Sequence, residues 1–171
     1  MTLRHTVRMI PDENLHLTLR FLGDTEEALR RPLEAALRRS AAGSAPIRVR
    51  LAGGGCFPHL RNPRVLWAGL EDGTGALTEL HRRLSAELDR LAFEPADKPF
   101  HPHVTIAYLR KGIDRAEARR TASALEAFRG DPIGVEAAFE TLALKESHLR
   151  RTGAVHTTVS AVNLSGTGNP R

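Results

Sequence analysis

The sequence predicts an α+β fold built as two similar halves, and three observations carry that reading. Short segments alternate strictly between apolar and polar residues, as half-buried strands do. Between them lie stretches with leucines at three- and four-residue steps, the spacing of an amphipathic helix. A short polar pattern also recurs: Leu15-His16-Leu17-Thr18-Leu19 is echoed by Pro102-His103-Val104-Thr105-Ile106, 87 residues on (103 − 16).

Leu15 to Phe21 alternates and reads as a strand with Leu15, Leu17 and Leu19 turned to the core. Asp24 then offers an N-cap and Glu27 a capping-box partner, opening a helix that reaches about Arg39. Ile47 to Leu51 alternates again, Gly53-Gly54-Gly55 marks a turn or bulge, and Val65 to Leu70 forms a short apolar strand. Leu77, Leu80, Leu84, Leu88 and Leu91 outline the next helix. In the second half Pro102 to Leu109 alternates, and Asp114 with Glu117 caps a helix reaching about Phe128. Two more strands are expected within Val135–Leu144 and Ala154–Leu164. Residues 1–164 therefore read as one domain of two pseudo-repeated lobes, and 165–171 as a flexible tail.

Composition narrows the function. The chain has 171 residues, 41% hydrophobic and 26% charged, enough to bury a core without staples. No run approaches the ~18–20 apolar residues of a membrane helix, and the N-terminus lacks a signal-like apolar stretch. The single cysteine, Cys56, excludes an internal disulfide framework and a multi-cysteine zinc site. A soluble cytoplasmic protein is the expectation. The net charge is +5, with only Lys98, Lys111 and Lys145 as lysines among 25 basic residues. That imbalance reads as GC-rich coding, since no block of like charge occurs; it permits an anionic partner without requiring one.

The chemistry lies in the His-x-Thr pairs. On extended backbone residues i and i+2 share a face, so His16 stands beside Thr18 and His103 beside Thr105. A third copy, His156-Thr157-Thr158, lacks the apolar frame and reads as a strand coincidence. The tripeptide alone fits equally well two strands whose outer faces happen to carry His and Thr. Histidine titrates near neutrality, so two of them supply an acid and a base, each proton transfer contributing about 10²–10⁴ in rate. Threonine hydroxyls are neutral, directional donors suited to phosphoryl oxygens.

With its flanks the pattern becomes specific. The chain resembles the 2H phosphoesterase superfamily, and within it the bacterial and archaeal RNA 2′,3′-cyclic phosphodiesterases, also called 2′-5′ RNA ligases. The resemblance rests on Glu13 to Gly23 and Phe100 to Ala107. It extends through Gly55-Cys56-Phe57-Pro58, Pro63 to Gly69, Glu146 to Leu149 and Gly153-Ala154. It implies a two-lobed α+β fold, two antiparallel sheets flanking a central cleft with helices outside. It also implies a strand and a helix ahead of the first motif that this short N-terminus leaves out, an edge that a swapped segment or a partner would cover. By position His16 is the proton donor and His103 the proton acceptor, with Thr18 and Thr105 on the non-bridging phosphate oxygens. The implied reaction opens a terminal 2′,3′-cyclic phosphate, on RNA or a small cyclic nucleotide, to a 2′-phosphomonoester without metal or cofactor. The alternatives are a nucleotide-binding module of the same fold with little turnover, and 2′-5′ ligation as the reverse reaction.

Other candidates carry less. His101 and His103 form a His-x-His pair, but no third ligand sits at comparable spacing, so a phosphate-facing His101 is the better reading. Cys56 has no activating base in sequence and reads as buried or incidental. Phe57 is a candidate base-stacking residue, and Arg20 alternates onto the His16 face within reach of phosphate. Arg64, Arg110-Lys111 and Arg150-Arg151 are ambiguous. His156 stands where the family places an aromatic residue.

Overall fold

A computed structural model of the chain describes residues 5–127, 132–150 and 153–166. In order the elements are β1 (Val7–Met9), α1 (Arg30–Ala41), β2 (Ile47–Phe57), β3 (Val65–Glu71), α2 (Ala76–Asp89), β4 (His103–Leu109), α3 (Arg115–Glu126), β5 (Pro132–Phe139), β6 (Thr141–Arg150) and β7 (Gly153–Asn163). Five strands form one sheet in the order β1-β4-β3-β2-β5, and β6 and β7 pair as a separate ribbon. The pairings resolved in the register, β1 with β4, β3 with β4, β2 with β3 and β6 with β7, are antiparallel. This is the expected α+β class. No described helix is long and apolar enough to cross a membrane.

The chain divides into two contact units, and they interleave in sequence where consecutive halves were expected. One comprises Met1–Thr18, Val49–Glu71 and His101–Glu136; the other comprises Leu19–Arg48, Asp72–Phe100 and Ala137–Arg171. Both framed His-x-Thr motifs fall in the first.

In the first unit α3 packs on the sheet. Val7, Leu66, Ala107 and Ala122 form its buried cluster, with Cys56, Leu60, Ile106, Leu109 and Leu125 against it. The α3 start is as expected, since the Asp114 side chain accepts from Ala116 N at 2.9 Å and Glu117 N at 3.1 Å. Glu117 is not a capping-box partner; its carboxylate accepts from the Thr6 hydroxyl at 2.7 Å and ties the N-terminal segment to α3. Phe128 lies outside the described residues. The expected bulge in β2 is present: the β2–β3 register shifts between Leu51 and Gly54, with Gly53 at φ 69°.

In the second unit α2 buries Leu77, Leu80, Leu84 and Leu88 and α1 buries Leu33, Ala36, Leu37 and Ala41. Burying each leucine contributes about 1.5–3 kcal/mol. Asp72 caps α2 through Gly75 N and Leu77 N at 3.0 and 2.6 Å.

Three expectations need correction. The first helix does not start at Asp24: a 3-10 turn covers Glu27–Leu29 and α1 begins at Arg30 without a side-chain cap. Pro32 explains the delay. It sits in the first turn of α1, where its missing N–H costs nothing, whereas a helix from Thr25 would bury it mid-helix. A strand does precede the first motif, as the three residues of β1 on the edge of β4. Among the described residues no α-helix does, and Asp12–Asn14 make one 3-10 turn. Finally, three strands rather than two follow α3 among the described residues. Lys145 to His148 are all exposed, so this part of β6 has no apolar period, although backbone pairing with β7 continues through it.

Candidate active site

The two motifs meet at a single residue pair. Leu17 makes an isolated antiparallel bridge to Val104 in β4. An antiparallel bridge runs the two backbones in opposite directions, so His16 lies toward the Thr105 side of the pair and Thr18 toward the His103 side. The bridge also corrects the sequence reading. The Leu15–Phe21 segment is not a strand beyond that one pair, and Leu15 and Phe21 are 43% and 81% exposed. β1 already occupies β4 at Tyr108 and its neighbours, so the motif reaches the same edge only further along.

Each motif holds its imidazole in the same way. His16 Nδ1 is 2.7 Å from the Asn14 carbonyl, and His103 Nδ1 is 2.6 Å from the His101 carbonyl. A carbonyl only accepts, so each Nδ1 carries a hydrogen and turns it toward the backbone, with Nε2 on the other side of the ring. Both rings are thereby oriented by a backbone group two residues upstream.

Aromatic rings crowd His103. Phe57, at the end of β2, meets it edge-on at 5.2 Å and stacks on Trp67 at 5.5 Å. Trp67 also lies 5.0 Å from the His101 ring and 5.8 Å from the His103 ring. Phe57 precedes a cis proline and remains 38% exposed, consistent with a stacking face. Sequence periodicity shows Trp67 only as part of an apolar strand. The signal that could have found it is Gly55, its partner in the β2–β3 register, where a β-carbon would lie 2.5 Å from the indole.

The remaining candidates have other surroundings of their own. Arg20 belongs to the second unit and donates to the Glu94 carbonyl. In that unit His81 stacks on Phe100 at 4.3 Å and 5°, and burial, helped by the Arg20 charge, holds its pKa below the usual imidazole value. His101 is exposed, Cys56 packs under α3, and His156 pairs with Ser147 in the β6–β7 ribbon. Arg151 lies outside the described residues. Among the described residues no three His, Cys, Asp or Glu side chains gather around one point that would hold a metal ion.

Known proteins are similar to this chain in sequence and fold. The profile of the 2′-5′ RNA ligase superfamily matches residues 2–161. The chain is 32% identical over 164 residues to an RNA 2′,3′-cyclic phosphodiesterase of Aeropyrum pernix, covering 95% of this chain and 89% of that one. To the protein of that name from Thermus thermophilus it is 36% identical over 163 residues, covering 92% and 75%. Among solved structures, TT0787 of Thermus thermophilus matches with TM-score 0.73 at 32% identity, covering 94% of this chain and 84% of that one. E. coli LigT complexed with 3′-AMP matches with TM-score 0.68 at 25% identity, covering 96% and 84%.

Proposed function

The chain belongs to the 2′-5′ RNA ligase superfamily, and from that premise we propose that it hydrolyses RNA 2′,3′-cyclic phosphate ends to 2′-phosphomonoesters. The observation that carries the reading is the Leu17–Val104 bridge, which brings two imidazoles, each anchored through Nδ1, and two threonines onto neighbouring backbone; His16 enters the reaction as the imidazolium and His103 as the neutral ring. The relatives' shared name, RNA 2′,3′-cyclic phosphodiesterase, supports the substrate.

In the proposed reaction His103 Nε2 takes a proton from water as its oxygen attacks phosphorus. The P–O3′ bond breaks, and His16 Nε2 gives its proton to the departing 3′ oxygen. The products are a 2′-phosphomonoester and a 3′ hydroxyl, with the proton inventory balanced between the two imidazoles. Thr18 and Thr105 donate to the non-bridging oxygens, where negative charge builds. Phe57 offers a face to the terminal base. His101 contributes its carbonyl to His103 and its ring to the edge of the site, and Arg20 adds positive charge that favours RNA. Because both proton transfers fall to histidine, the reaction needs no metal or cofactor, and the reading places it in the cytoplasm.

The test is incubation with a short RNA ending in a 2′,3′-cyclic phosphate, with and without EDTA, followed by end-group analysis. A 2′-phosphomonoester formed at the same rate in both is expected. A 3′-phosphomonoester, or turnover lost in EDTA and restored by Zn²⁺ or Mn²⁺, would overturn the reading.

A further inference from the structure

His103 is restrained from more than one side, all within the unit that carries both motifs. The His101 carbonyl takes its Nδ1 hydrogen, Phe57 meets its ring at 73°, and the Trp67 indole meets it at 60°. Trp67 is shared: it also backs Phe57 at 29° and the His101 ring at 80°. One indole therefore supports three rings, the His103 imidazole among them. At 6% exposure in a packed sheet it has little room to yield.

The sequence keeps that indole at a cost. Residue 55 is glycine inside a strand, a weakening choice. The reason is geometric, since a β-carbon there would lie 2.5 Å from Cζ2 and 2.9 Å from Cε2 of Trp67. The indole N–H is also buried with no acceptor among the described residues, which is unfavourable in itself. A phenyl or isobutyl group at residue 67 would remove the unpaired donor and still fill core. What it would lack is the breadth to reach His101 and His103 together.

We propose that Trp67 is a positioning residue for His103, holding the imidazole against the His101 carbonyl so that Nε2 is aimed before substrate arrives. Without the indole the ring gains rotamer freedom, the Nδ1 bond is made only part of the time, and the tautomer averages. This inference rests on His103 being the proton acceptor, so its test has an arm that does not depend on turnover.

That arm is long-range ¹H–¹⁵N spectroscopy of the histidines in the full-length labelled chain, with His81 as the internal control. Wild type should show His103 as the Nδ1–H tautomer. In Trp67→Leu the His103 signals should move toward tautomer averaging while those of His81 stay in place. In the kinetic arm kcat on cyclic-phosphate RNA should fall about 10- to 100-fold with KM within about threefold. Trp67→Phe, too narrow to reach both imidazoles, should recover only part of the loss. Gly55→Ala keeps the indole but pushes it aside, and should reproduce the His103 change if Trp67→Leu does not fold. An unaltered His103 tautomer and a kcat within about threefold of wild type, in either folded variant, would overturn the proposal. If wild type shows no turnover at all, the functional reading fails, and the spectra still decide whether Trp67 orients His103.

Discussion

His16 and His103 have the same local geometry on two different kinds of backbone. His103 opens β4, a strand paired with β3 on one side and β1 on the other. His16 lies in an irregular segment that touches β4 at a single residue pair. Yet both imidazoles bond the carbonyl two residues upstream, at 2.7 and 2.6 Å. Anchoring the ring therefore does not require a hydrogen-bonded ladder: the carbonyl that holds His16 ends the 3-10 turn at Asn14, whereas the one that holds His103 lies just ahead of β4. With fewer ladder bonds, the His16 segment should open more readily than β4.

Substituting the histidines breaks this comparison most severely. His16→Ala and His103→Ala should each lower kcat/KM on cyclic-phosphate RNA by about 10²–10⁴ with the thermal midpoint little changed, measured by steady-state kinetics and circular dichroism. Loss from one substitution but not the other would break the pairing. The threonines sharpen it. Thr18→Val and Thr105→Val should each cost about 10- to 100-fold in kcat, with Thr105 the costlier, because a donor on the better-held strand is better preorganised. Equal losses would mean that the looser backbone around Thr18 is immaterial to the chemistry.

The third tripeptide is the control. His156 sits in the β6–β7 ribbon, which belongs to the other contact unit, and His156→Ala should change kcat less than about tenfold, under ~1.4 kcal/mol in barrier. Abolished turnover there would show that the wrong pair has been assigned. The smallest effect expected is on stability. Burial, helped by the Arg20 charge, holds the His81 pKa in the fold below the ordinary imidazole value. The unfolded chain therefore binds the extra proton more readily, and stability should fall as pH drops below about 6.5, the ordinary imidazole value. Melting curves between about pH 7.5 and 5 should show a slightly steeper loss for wild type than for His81→Phe; identical slopes would remove His81 from the account.

How much is legible in the sequence follows from these same residues. The β3 and β4 strands, α2 and the α3 cap are readable because period and capping chemistry agree with the tertiary structure there. The start of α1 is not, because Asp24 and Glu27 mimic a capping box, while Pro32 decides where a helix can begin. The length of β6 is hidden because a ribbon with exposed polar residues carries no apolar period. The two histidines and two threonines stand out through their apolar frames. Trp67 does not, because its part depends on cross-strand register with Gly55, which no local pattern encodes. Alternation alone also says nothing of the Glu94 carbonyl, 74 residues on, to which the Arg20 guanidinium donates.

The central claim is that one imidazole gives a proton while the other takes one. The most direct test is kcat/KM for a cyclic-phosphate RNA measured across pH in EDTA. A paired-histidine mechanism requires one ring charged and the other neutral, so the profile should be bell-shaped, with both limbs between about pH 5 and 8.5, where imidazoles titrate. A flat profile, or a single limb across that range, would contradict it.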